Sequence, residues 1–231
     1  MMMNFGEVVS HLWPKALRTI QDWSDVENDE KVFKALRDKQ LRTRQDDLRN
    51  WLRTWAVFQG VKSSQRDQIA EAVLVWADSR NPRRDLATPE ALAAAHAELM
   101  GAVCQAYLLN QTGAKNRYFT SLASKALWLC YPDSVPIFDH YVVNALHFIS
   151  KIEDGIAPIP EKTPDGKKRP DYEQFVHVWK QLYAKYRETI ESLDIGTYKY
   201  RVRVLDRVLW LIGRPAYSVD WIAPSSGPVS N

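Results

Sequence analysis

Apolar residues recur every three or four positions along almost the whole chain, and the strict alternation of a half-buried strand is nearly absent. A chain patterned this way buries its apolar stripes by packing helix on helix, so the fold class is all-α. The clearest stripe is Tyr172, Phe175, Trp179, Leu182, Tyr186 and Ile190, which predicts one long helix. Asp171 stands where a cap belongs, with Gln174 at the third helical position. Thr88-Pro89-Glu90 is a second helix start, because proline tolerates the first turn and the threonine hydroxyl accepts an orphan amide. Ser64 with Asp67 is a weaker start before residues 65–77. Gly60 and Gly113 fall where helices stop. Further helices are predicted over 14–23, 29–39, 41–58, 117–130, 138–150 and 197–212. The total is about eight to ten helices.

The remaining segments read as connections. Residues 78–85 (DSRNPRRD) form a short basic loop, and residues 153–170 are proline-rich, polar and too long for a core. The stretch after Trp221 reads as a tail. The N-terminal segment has no basic head followed by an apolar core, so no secretion signal is expected. The most apolar stretch, 91–109, is interrupted by His96, Glu98 and Gln105 and reads as a buried helix, not a membrane span. Two cysteines and five scattered histidines supply no metal cage, and no phosphate loop or dinucleotide glycine motif occurs. The expectation is a cytoplasmic protein, monomeric, with no metal, cofactor or membrane partner.

A net charge of +3 conceals local asymmetry. No acidic residue lies between Glu98 and Asp133, an interval that holds Lys115, Arg117 and Lys125. From Ile195 to Arg214, five basic residues (Lys199, Arg201, Arg203, Arg207, Arg214) face Asp206 alone. Basic residues interleaved with aromatics suit a phosphate backbone. The plainer explanation is a solvated helix face.

The most informative stretch is Asn116 to Leu146. A helix carrying Ser124 and Lys125 ends near Tyr131, and Pro132 and Pro136 then force a tight connection. Val135-Pro136-Ile137-Phe138 leads to Asp139, and Val142, Val143, Leu146 and Ile149 follow as one apolar face. An Asp in that place is ordinarily an N-cap. It is equally a carboxylate held rigidly by its own helix, and the two roles are compatible.

This segment resembles the helix-hairpin-helix DNA glycosylase superfamily, in the manner of the 8-oxoguanine glycosylases, over residues 116–146. Its helix, its lysine, its prolines and the approach Pro-Ile-x-Asp-x-x-Val are similar to the region in which that superfamily carries its catalytic Asp. The family continues Asp-x-His-Val, and this chain reads Asp139-His140-Tyr141-Val142, with Tyr141 in place of the His. The family hairpin is glycine-rich, whereas this chain has only Gly113 before Ala114-Lys115-Asn116-Arg117-Tyr118. Lys125 lies nearer the Asp than the family's Schiff-base lysine.

The resemblance implies a two-lobed helical fold, with residues 60–132 as the lobe carrying a degenerate hairpin. Residues 1–59 together with 133–222 form the second lobe, and 223–231 are a flexible tail. It implies double-stranded DNA as partner and cleavage of the N-glycosidic bond of a damaged or modified base, in repair or in antiviral defence. Asp139 is the candidate catalytic carboxylate, and Lys125 the candidate nucleophile if burial lowers its pKa. His140 and Tyr141 are supporting donors. Lys115, Asn116, Arg117, Tyr118, Ser121, Ser124, Arg201 and Arg203 are candidate DNA contacts. Trp128, Asp206 and Trp210 are candidates for the base pocket. For each aromatic the alternative is ordinary core packing. A glycosylase scaffold that binds DNA or a partner without catalysis is the alternative function.

Overall fold

The structure, a computed structural model of the chain, describes residues 4–22, 25–59, 61–79, 86–109, 119–159 and 171–214. Among these there are ten α-helices and no strand. They are α1 (Phe5–Asp22), α2 (Asp25–Arg37), α3 (Arg44–Thr54), α4 (Ser63–Asp78), α5 (Pro89–Leu108), α6 (Thr120–Cys130), α7 (His140–Ile152), α8 (Tyr172–Lys185), α9 (Arg187–Ser192) and α10 (Arg201–Ile212). The fold is all-α.

The caps predicted at Thr88 and Asp171 form, whereas Ser64 lies inside α4, whose N-cap is Lys62, and Gly60 and Gly113 lie outside the described residues. The Thr88 hydroxyl accepts from Ala91 N at 3.2 Å, and Asp171 Oδ1 accepts from Gln174 N at 2.8 Å. Two elements differ from the sequence pattern. The helix predicted over 14–23 begins at Phe5 and runs straight through Pro14. A proline inside a helix costs roughly 3 kcal/mol. Val8, Val9, Leu12, Trp13 and Ile20 form one buried stripe on both sides of it, and each such side chain contributes about 1.5–3 kcal/mol on burial. Asn4 and Glu7 bond each other's backbone amides at 3.0 and 2.9 Å and start the helix early.

The long helix expected up to Ile190 breaks at Tyr186 (φ −112°, ψ 21°) into α8 and α9. Tertiary contacts account for the break. The Tyr186 hydroxyl bonds the Glu153 carboxylate, and its ring meets Phe5 edge-on at 5.2 Å.

The chain divides into two compact units. One comprises 21–138, the other 1–20 with 139–231. The sequence expectation grouped 1–59 with 133–222; here residues 21–59 cluster with those that follow, because α2 packs on α6 and α3 on α4. The core of the 21–138 unit is aromatic. Trp51 stacks on Trp128 (6.2 Å, 8° between planes), Phe33 lies 5.4 Å from Trp128, and Trp51 Nε1 donates to the buried Asp29 Oδ1 at 2.7 Å. In the other unit α7 packs against α10 and α8. Trp13 Nε1 donates to Asp194 O at 2.7 Å, and Trp179 Nε1 to Asp206 Oδ1 at 2.9 Å. Glu153 gathers three donors, the Phe5 amide at 2.9 Å, Lys185 Nζ at 2.8 Å and the Tyr186 hydroxyl, so it ties α1 to the ends of α7 and α8. No helix of the described residues is long and apolar enough to cross a membrane.

Candidate active site

The connection between α6 and α7 is built as its prolines predict. Ser134 and Val135 both donate to Tyr131 O at 3.2 Å, closing a tight turn. Val135 to Phe138 are then buried. The Phe138 amide donates to Ser124 Oγ at 3.0 Å, and this buried bond holds the backbone immediately before Asp139. Asp139 is the extended N-cap of α7 (φ −135°, ψ 149°), and its Oδ1 accepts from Tyr141 N at 3.0 Å. Asp139 is half-buried. His140 is exposed, its Nε2 lying 3.3 Å from Asn144 Nδ2.

Tyr141 joins this helix start to α10. Its ring meets Trp210 edge-on at 5.7 Å and 88°. Two guanidinium groups flank the Trp210 indole, Arg214 at 4.6 Å and Arg207 at 5.1 Å from a ring centroid. Such cation–π contacts contribute about 0.5–2 kcal/mol each. The backbones also meet. A Cβ on Gly213, just past α10, would lie 1.8 Å from Tyr141 O and 2.6 Å from Tyr141 C. Only glycine fits there. The first turn of α7 is therefore held from inside by the Asp139 cap and from outside by the end of α10.

The other expected site residues separate into three groups. Lys115, Asn116, Arg117 and Tyr118 lie outside the described residues. Several side chains proposed as DNA or base contacts are interior instead. Trp128 is 0% exposed and stacks on Trp51 as core. Ser124 is buried and spends its hydroxyl oxygen on the Phe138 amide, and Ser121 Oγ accepts from Lys125 Nζ at 2.6 Å. Arg203 is 3% exposed, so it presents no surface to a phosphate backbone. Arg201 donates to Ile190 O and Leu193 O, both at 2.6 Å, and its guanidinium closes the end of α9. Asp206 is 2% exposed and holds Trp179 Nε1, and its charge, after burial itself, helps push the Tyr172 hydroxyl pKa upward. Lys125 is 2% exposed, with its ammonium 5.3 Å from the Trp55 ring. Trp210, half-buried, is the base-pocket candidate that shares a surface with the start of α7.

Sequence reasoning did not single out Gly213 or Arg214. Gly213 is needed by a close approach between distant segments, which leaves no local pattern. Arg214 was counted only within a basic run. Among the described residues no three His, Cys, Asp or Glu side chains group as metal ligands do. No protein-family model, curated protein or solved structure matches the chain.

Proposed function

We propose that the chain is a DNA glycosylase-like enzyme acting on a damaged or modified base flipped from duplex DNA, in repair or in antiviral defence. The observation that supports this is Asp139, a carboxylate fixed at the start of α7 two residues before Tyr141. Tyr141 in turn packs on Trp210 between two arginines. Cleaving an N-glycosidic bond sends the bonding pair to the departing base and leaves an oxocarbenium-like C1′. A rigid carboxylate meets that charge without reorganising and orients the water that adds to C1′. Loss of the base leaves an abasic sugar. The Tyr141–Trp210–Arg214 surface offers rings and positive charge to a nucleotide drawn out of the stack.

A second reading, a scaffold that binds DNA or a partner without excision, is favoured by the interior placement of Ser124, Trp128 and Arg203. Duplexes carrying single alkylated, oxidised or hypermodified bases separate the two. The enzyme releases free base and leaves alkali-labile breaks. Salt-dependent binding with no release on any duplex supports the DNA-binding scaffold, and neither binding nor release rejects both the enzyme and the DNA-binding scaffold.

A further inference from the structure

In the 21–138 unit, the ends of α2, α4 and α6 enclose a cleft of about 400 Å³, a size suited to a small organic ligand. Its floor is apolar, formed by Phe33, Leu36, Leu129 and Pro132. Its polar wall carries Arg37, Lys39 and Asp78.

The charges on that wall are not equivalent. Asp78 is gripped by the Arg44 fork at 2.8 and 3.1 Å, and this hydrogen-bonded pair holds its carboxyl below the usual range. Arg44 also donates through Nε to Ala35 O at 2.8 Å, and Lys39 reaches Asp78 O at 3.4 Å. Helix C-termini carry roughly half a negative charge each, and these two cations answer the ends of α2 and α4. Arg37 does neither. It is exposed, its guanidinium lies 5.9 Å over the Phe33 ring, and among the described residues no carboxylate or carbonyl is bonded to it. Among the described residues lining the cleft, Arg37 and Lys39 are the cations and Asp78 the carboxylate, which Arg44 already pairs. The Cys130 thiol on the wall is pushed up to about 12 by burial and then by Asp78, so it stays protonated and is a neutral surface, not a nucleophile.

We infer that this cleft binds a small anion with a flat apolar body, an aromatic carboxylate, sulfonate or phosphate monoester. Its anionic head bonds the Arg37 fork with Lys39 beside it, and its body lies on Phe33, Leu36, Leu129 and Pro132. The guanidinium fork matches two anionic oxygens at once. Asp139 is not among the residues lining the cleft, and the inference does not depend on the proposed excision.

Anilinonaphthalene sulfonate is the probe, and N-phenyl-1-naphthylamine, which keeps the rings and lacks the sulfonate, is the control. Both are titrated into the full-length protein by fluorescence and calorimetry. The expected result is one sulfonate per chain, with the neutral control binding at least about tenfold more weakly. Arg37→Gln weakens the sulfonate by about tenfold or more, as for loss of a charge-assisted bond. Leu36→Trp fills the cleft and abolishes binding. Asp139→Asn binds the probe as wild type does. Arg37 is exposed, so its variant reports even if Leu36→Trp fails to fold. The inference is overturned by absence of saturable binding, by equal affinity for the neutral control, or by an Arg37→Gln affinity equal to wild type.

Discussion

His96 is a neutral histidine enclosed between α5 and α6, with its Nε2 3.0 Å from Thr120 O. Desolvation drives its pKa from 6.5 to about 4, against a smaller opposite effect from the carbonyl. In the unfolded chain the same ring protonates near pH 6.5. The folded pKa is the lower one, so the unfolded state takes up the proton first, and stability falls as pH drops from 6.5 toward 4. Between pH 7 and pH 4.5 this linkage removes about 2 kcal/mol, and the full shift corresponds to about 3 kcal/mol. The perturbation is His96→Gln, which keeps a donor for Thr120 O and cannot titrate. Urea unfolding of both proteins at pH 7 and pH 4.5 is the assay. Carboxylates contribute alike to both proteins, so the difference between their pH losses isolates His96. Wild type should lose about 2 kcal/mol more than the variant on acidification. A difference under about 0.5 kcal/mol would refute the reasoning and mean that the α5–α6 contact is open to water.

Gly213→Ala should cost more than about 2 kcal/mol, because its Cβ would fall 1.8 Å from Tyr141 O. Gly101→Ala, at an exposed position of α5 with nothing within 4 Å of the added Cβ, should stabilise by about 0.5–1 kcal/mol, and thermal melts check both. Glu153→Gln should cost about 1–3 kcal/mol by urea unfolding, since Lys185 and the Tyr186 hydroxyl lose a charged acceptor. Burial pushes the Glu153 carboxyl up, but the bonds from Lys185, Tyr186 and the Phe5 amide together hold it low. The stability it contributes is therefore present above the ordinary glutamate range and lost as pH falls through the lowered value. Lys125 donates to Ser121 within the interior. Borohydride should accordingly trap no covalent adduct with abasic DNA in wild type or Lys125→Ala.

Helix starts were legible because capping is local: Thr88, Asp139 and Asp171 each accept from an amide two or three residues on. The approach through Val135, Pro136, Ile137 and Phe138 was legible for the same reason. Passage of α1 through Pro14 was not, since it depends on burial of Trp13 and its bond to Asp194. Nor was the break at Tyr186, which depends on Glu153 and Phe5. Arginine reads as surface in a sequence, yet Arg203 is interior and Arg201 closes a helix end. Lys125 offered one clue, as the lone charge in a helix whose residues 122–129 are all buried. The Tyr141–Trp210–Gly213 junction joins residues far apart in the chain, and no spacing announces it.

The most direct test of the account is single-turnover base release by Asp139→Asn, measured with DNA affinity and melting temperature on the same preparations. The amide oxygen can still accept from Tyr141 N, so the cap and the fold should survive. The charge that would meet the oxocarbenium ion is gone, and the rate should fall by about 10²–10³. Affinity should stay level or rise, because a repulsion toward phosphate is removed. Unchanged release on every duplex cleaved by wild type, or a variant that unfolds, would contradict the account and leave Asp139 as a helix cap alone.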